Sequence, residues 1–284
     1  MQSDIEKVYR PDSALRRPHI LISEMWQGFL DGRELARRLA IRDISAQYRQ
    51  TALGFLWLFI LPLFNTLAWI FLQSSGVVSV ANTDLPYPVY VFVGTMVWAI
   101  FSEAFNMPLQ IVTASKPMLA KINFPREALL LSGIYQVLFN SGIKVLLTIG
   151  ALFFFGNFIG WQCMLVPVGV IALVIAGTGL GTLLVPLGLL YNDISKALPL
   201  AMQFLMYLTP VVFPIPDKQG FAKSVFTHNP LTPLIMTARD WMTGQPSAWV
   251  NETLWISLGM MVLLFIVWTV FKLALPILIE RMNA

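Results

Sequence analysis

Apolar residues in this chain come in six long runs, covering approximately 53 to 75, 88 to 107, 128 to 155, 164 to 190, 197 to 213 and 251 to 273. A helix rises about 1.5 Å per residue and the hydrocarbon layer of a bilayer is about 30 Å thick, so roughly 20 apolar residues cross it. The pattern predicts an all-α integral membrane protein with six transmembrane helices. Pro62 falls inside the first run, where a missing backbone donor predicts a kink.

Ahead of the first run the period shortens to that of an amphipathic helix. Ile22, Met25, Trp26 and Phe29 recur at helical spacing beside Ser23, Glu24 and Gln27. Further on, Arg38, Arg42 and Arg49 fall on one narrow stripe with Ser45 between them, while Ile41, Ile44 and Tyr48 fill the adjacent face. Residues 20–51 therefore read as amphipathic interface helices on an anionic cytoplasmic leaflet. Packing against a neighbour is the alternative for the first, and a solvated charged helix for the second. The second is expected to run unbroken into the apolar stretch LGFLWLFILPLF. Residues 1–19, polar and holding Pro11 and Pro18, read as a loose tail. Residues 52–284 then form the six-span domain.

Composition supports this: 57% of residues are hydrophobic and 12% charged, against about 25% charged in soluble proteins. The positive charges flank the apolar runs, which sets membrane orientation and argues against nucleic-acid binding. Nine of the 19 Lys and Arg lie in the first 49 residues, with no apolar core of signal-peptide type, so the N-terminus is expected to stay in the cytoplasm. With that start, 15 positive residues fall inside and three, Lys218, Lys223 and Arg239, outside, which predicts cytoplasmic N- and C-termini.

Two connections carry additional pattern. In SKPMLAKINFPRE, residues 115–127, Pro117 suits a first helical turn and Pro125 ends it, leaving a short cytoplasmic helix at about 116–125 with Met118, Leu119, Ile122 and Phe124 as apolar positions. Such a helix suits docking to a partner, or folding back on its own protein. The outer connection, about 214–248, is too long for a tight loop and too polar for a span. It reads as short re-entrant helices, with Trp241 and Trp249 at headgroup depth.

No catalytic constellation is visible. Acidic residues after position 50 are scattered, the one cysteine is Cys163, and His19 and His228 are the only histidines, so no metal site is expected. The run GTGLGT, Gly177 to Thr182, sits in an apolar span without the Lys of a phosphate cradle and reads as close helix packing. Lys144 and Glu103 are ionisable groups within or near spans, at similar depth. They read as a mutual ion pair, or Lys144 faces a polar path or snorkels to the interface.

Five ordered blocks then carry a resemblance: RDISAQYRQTALGFLW at 42–57, LPYPVYVFVGTMVWAIFSEA at 85–104, MLAKINFPRE at 118–127, YNDI at 191–194, and TPVVFPIP with HNPLTPLIMTARDWMTG beyond. Together they resemble the membrane permease of ABC exporters that move cell-surface polysaccharides such as O-antigen, capsule and wall teichoic acid. Asn192 departs from the family's usual Arg before Asp-Ile, and Asn123 from a common aliphatic residue.

The resemblance implies a homodimer of six-span subunits in the bacterial inner membrane, with two separate ATPase subunits that hold ATP and Mg and a central channel for a lipid-linked glycan. This chain would bind no cofactor and would itself be no enzyme. It implies that Met118, Leu119, Lys121, Ile122, Phe124, Pro125 and Arg126 belong to the ATPase-coupling helix. Arg38, Arg42, Tyr48 and Arg49 would belong to an interface or gate helix, and the outer segment would close the channel mouth. Lys144, Glu103, Trp57 and Tyr207 are the candidates for channel-lining or buried polar groups. A smaller lipid-like or drug-like substrate is the alternative within this fold, and a secondary transporter the alternative from another class.

Overall fold

A computed structural model describes residues 18–49, 54–77, 85–119, 127–156, 160–216 and 218–283. All regular structure among these is helical: α1 (Pro18–Arg49), α2 (Trp57–Ser74), α3 (Tyr87–Ala114), α4 (Lys116–Leu119), α5 (Glu127–Phe154), α6 (Val166–Leu190), α7 (Asn192–Tyr207), α8 (Phe221–His228), α9 (Leu231–Met242) and α10 (Val250–Asn283). Four helical stretches, Tyr87–Ala114, Glu127–Phe154, Trp161–Leu190 and Val250–Lys272, are long and apolar enough to cross a membrane. The chain is thus an all-helical membrane protein. The other two expected runs are helical as α2 and α7, of 18 and 16 residues.

Helix ends follow local chemistry. Pro88 and Pro167 occupy first turns of α3 and α6, where no N–H partner is needed. Tyr191, at φ −125° and ψ 108°, separates α6 from α7, and Asp193 lies in the first turn of α7, where the helix dipole favours an acid.

Two expectations change at the N-terminal end. The amphipathic stretch is one helix rather than two, because Gly28 and Gly32, which look like interruptions, are contact points. A Cβ on Gly28 would lie 3.2 Å from the carboxyl carbon of Glu127, and one on Gly32 would lie 3.3 Å from the Cβ of Ala128. The amphipathic helix also does not run unbroken into the apolar one. Gly54 takes φ +49°, which an α-helix cannot continue through, and a 3-10 turn at Gly54–Leu56 redirects the chain into α2.

The trunk is α3 packed along α6, with α5 and α2 on other sides of α3, α10 beside α6, and α1 along α5. In a bilayer, close backbone approach stabilises such contacts more than water exclusion does. Gly177 and Gly181 supply it: a Cβ on Gly181 would overlap the carbonyl oxygen of Phe105, and one on Gly177 would sit 2.7 Å from the Cβ of Ala104. The GTGLGT run is therefore the α3–α6 seam. The short helix α9 is buried along most of its length against α3, α6 and α10. Trp241 lies in this core against Gly169, so the α9 face that carries it is turned inward and its ring meets protein.

Candidate functional site

Polar groups gather on the C-terminal half of α3. Ser102, Asn106 and Gln110 recur every four residues and share one face, with Glu103 beside them. This face is only partly covered by protein, and Gln110 is exposed. Asn106 donates to the Ser102 carbonyl at 2.7 Å. By helical rise, Asn106 lies about 12 Å from the end of α3, within hydrocarbon depth. An amide facing lipid there would lack partners at a cost of a few kcal/mol, so the face suits water, a polar cargo or another protein surface.

Glu103 ties this face to α5. One carboxylate oxygen accepts from Asn140 at 2.6 Å, and the other pairs with the ammonium of Lys144. The side chain of Lys144 is 10% exposed and that of Glu103 29%. Of the readings open for Lys144, pairing is the one found. Gln136, nearer the N-terminal end of α5, reaches Asp43 of α1 at 3.3 Å.

Aromatic rings mark a second surface, on α2 and α7. Trp69 meets Tyr207 edge-on at 6.1 Å and Phe213 at 5.4 Å. Trp57, Phe64, Phe71 and Phe204 point outward from the subunit, Phe204 with 70% of its surface exposed. Trp57 and Tyr207 therefore both sit at the subunit surface, on different helices, and away from the Lys144–Glu103 pair in the bonds they make.

A third node gathers around α9. Arg239 of α9 is 2% exposed. It donates to the carbonyls of Pro210 and Val211, in the turn that follows α7. The Tyr90 hydroxyl, from α3, donates to the same Pro210 carbonyl at 3.3 Å. Asn229 adds a link, accepting from the Leu231 N–H at 2.9 Å and donating to the Leu208 carbonyl at 2.8 Å. Sequence reading counted Arg239 only as an outer positive charge. The signal for more was its place on the apolar stripe of α9, one turn after Ile235.

The arginine stripe of α1 is partly neutralised within the helix. Arg38 donates to Glu34 at 2.9 Å and Arg42 to Asp43 at 2.7 Å. The Arg38 hydrogen bond and charge hold the exposed Glu34 carboxyl below the usual carboxylate range. Tyr48 and Arg49 complete the last turn of α1, and Met118 and Leu119 the last turn of α4. Lys121, Ile122, Phe124, Pro125 and Arg126 lie outside the described residues. Among the described residues no cluster of His, Cys, Asp and Glu could hold a metal ion.

Among the described residues Asn106, Glu103, Lys144 and Arg239 are held by hydrogen bonds and ion pairs, and no cluster of His, Cys, Asp and Glu gathers among them. Residues 34–243 match the model of the family described as ABC-2 type transporter. The O-antigen export system permease protein RfbA of Myxococcus xanthus is 26% identical over 196 residues, covering 69% of this chain and 72% of that protein. The protein of the same name from Klebsiella pneumoniae is 26% identical over 208 residues, covering 70% and 76%. The polysialic acid transport protein KpsM of Escherichia coli is 23% identical over 227 residues, covering 75% and 83%.

Proposed function

Because the chain belongs to the ABC-2 type transporter family, whose model covers residues 34–243, we propose that it is the permease subunit of an ATP-driven exporter carrying a lipid-linked cell-surface polysaccharide across the bacterial inner membrane. Two copies form the channel, and two separate ATPase subunits supply the energy. The single observation that carries the substrate class is that the similar proteins are named for O-antigen and polysialic acid export.

The fold supports the reading in three ways. First, α2 and α7 added to the four long helices would make six spans, an even number that would put both termini on one side, in this reading the cytoplasmic one. At about 27 and 24 Å by helical rise they nearly match the hydrocarbon thickness. Second, the partly uncovered amides on α3 offer hydrogen bonds to hydroxyls, and the outward rings of α2 and α7 offer flat faces to sugars. Those surfaces are what a second copy facing this one would enclose. Third, α8 and α9 form a short helical pair at the outer end, read as re-entrant, where it would close the channel mouth.

In this reading the connection at 116–125 docks on the ATPase, and α1 rests its arginines against inner-leaflet headgroups. The chain itself binds no cofactor; ATP and Mg belong to the partner. Export of a smaller lipid-like molecule would use the same spans but would not need a continuous polar face.

The test is reconstitution. The chain, co-expressed with a candidate ATPase subunit, is placed in inverted vesicles and offered a labelled lipid-linked glycan. ATP-dependent protection of the glycan inside the vesicles is expected. Uptake driven by an ion gradient without ATP would sink the reading and point to a secondary transporter.

A further inference from the structure

Three helices distant in sequence converge on Glu127. It is the first residue of α5 and is buried. Its Oε1 lies 3.4 Å from the Nζ of Lys272 on α10, and its carboxyl carbon would lie 3.2 Å from a Cβ on Gly28 of α1. The same corner joins α1 to α10 directly. Phe29 meets Trp268 edge-on at 5.9 Å, and the Thr269 hydroxyl reaches the sulfur of Met25 at 3.7 Å. Lys272 comes about 33 Å after the start of α10 by helical rise, beyond one hydrocarbon thickness from the outer end. The corner therefore belongs to the cytoplasmic side of the spans, where the connection from α4 enters α5.

A carboxylate in the first turn of a helix is favoured by the dipole, but that does not call for an ammonium from another helix. A mostly buried pair is weak as a source of stability, since apolar side chains of similar volume would hold the helices at least as well. What such a pair supplies is register, because either partner alone leaves an uncompensated charge. Gly28 removes the slack: with no side chain at that position, the α1 backbone comes right up against the carboxylate. A displacement of the first turn of α5 cannot be absorbed there and must move α1 and α10 together. From α10 the packing continues to α6 and then to α3.

We infer that Glu127 and Lys272 are positioning residues that couple movement at the cytoplasmic connection between α3 and α5 to α1 and α10, and so to the trunk. This inference rests on the reading of that connection as the ATPase-docking element.

The test uses the assembled complex of this chain with its ATPase subunits in vesicles, and compares E127Q, K272M and the exchanged pair E127K/K272E. Each is measured for recovered complex, melting temperature and glycan exported per ATP hydrolysed. The single variants are expected to assemble and hydrolyse ATP while export per ATP falls on the order of tenfold, and the exchanged pair to recover most of it. Unchanged export per ATP in both single variants would overturn the inference. So would loss of the complex in both with no recovery by the exchange, because the pair would then be a folding contact. If the native complex shows no ATP-dependent export, the parent reading fails, and that outcome is distinct from any difference among the variants.

Discussion

The guanidinium carbon of Arg239 lies 4.0 Å from the centroid of the Tyr90 ring, while one of its terminal nitrogens donates to the Val211 carbonyl at 2.9 Å. One side chain thus fastens α9 to α3 by a cation–π contact and to the turn after α7 by hydrogen bonds. Gly94 makes room, since a Cβ there would overlap the Val211 carbonyl oxygen and sit 2.7 Å from the Arg239 guanidinium.

Replacing Arg239 by Met is expected to destabilise the protein by about 2 to 4 kcal/mol, since two buried carbonyls lose a charged donor and the ring loses its cation. Arg239→Lys should recover only part, because a single ammonium cannot reproduce the planar fork. Thermal unfolding in detergent measures both. Equal melting temperatures for Lys and native chains would remove the fork from the account.

The Lys144–Glu103 pair predicts a sharper pattern. Lys144→Met leaves a partly buried carboxylate with only Asn140 as a described neutral donor, at a cost of about 2 to 4 kcal/mol. Adding Glu103→Gln should return most of that loss, because the remaining groups are neutral and still hydrogen-bonded. A double-mutant cycle by melting reads the coupling, and additive losses would argue against a direct pair.

At the seam between α3 and α6, Gly181→Ala should cost about 1 to 3 kcal/mol by pushing backbones apart. Gly142→Ala and Gly259→Ala, where no heavy atom lies within 4 Å of the added Cβ, should be tolerated or slightly stabilising in a helix. Expression level and melting temperature of the three variants rank them. A tolerated Gly181→Ala would mean that α6 does not approach α3 this closely.

For the polar face, Asn106→Leu combined with Gln110→Leu should leave folding intact, since these groups satisfy lipid-incompatible positions rather than the core, and should reduce glycan export. A purely lipid-facing surface would instead be improved by the change. Export per assembled complex is the measurement, and full export would remove this face from the path.

If the connection between α4 and α5 docks on the ATPase as proposed, Phe124→Asp is expected to weaken that binding by several kcal/mol through a buried unpaired charge while membrane insertion is unchanged. A single cysteine at Ala120, in a Cys163→Ser background, should cross-link to the ATPase. Normal co-purification together with no cross-link would leave the arginine-striped helix as the better contact.

Length and hydropathy made the helices legible because a bilayer imposes one ruler on every span. The α3–α6 seam was legible too, since close approach needs small residues and the GTGLGT run has no other use in an apolar span. Gly28 and Gly32 were not, because a glycine's use as a contact point depends on what faces it, here Glu127 and Ala128. Arg239 was missed for a related reason: charge counting treats every arginine as solvated, and only the fold shows that backbone carbonyls and a tyrosine ring receive it. Lys144 and Glu103 could be matched in depth from helical rise, but rise says nothing of which faces oppose each other.

The hydroxyl of Thr237 on α9 lies 2.8 Å from that of Thr253 on α10, and this bond sets an order on biogenesis. During synthesis α9 is complete before residue 253 has been made, so α9 cannot reach its final packing until α10 has followed it. A chain halted before α10 would leave α9 without that partner. The later helix therefore decides when the earlier one settles.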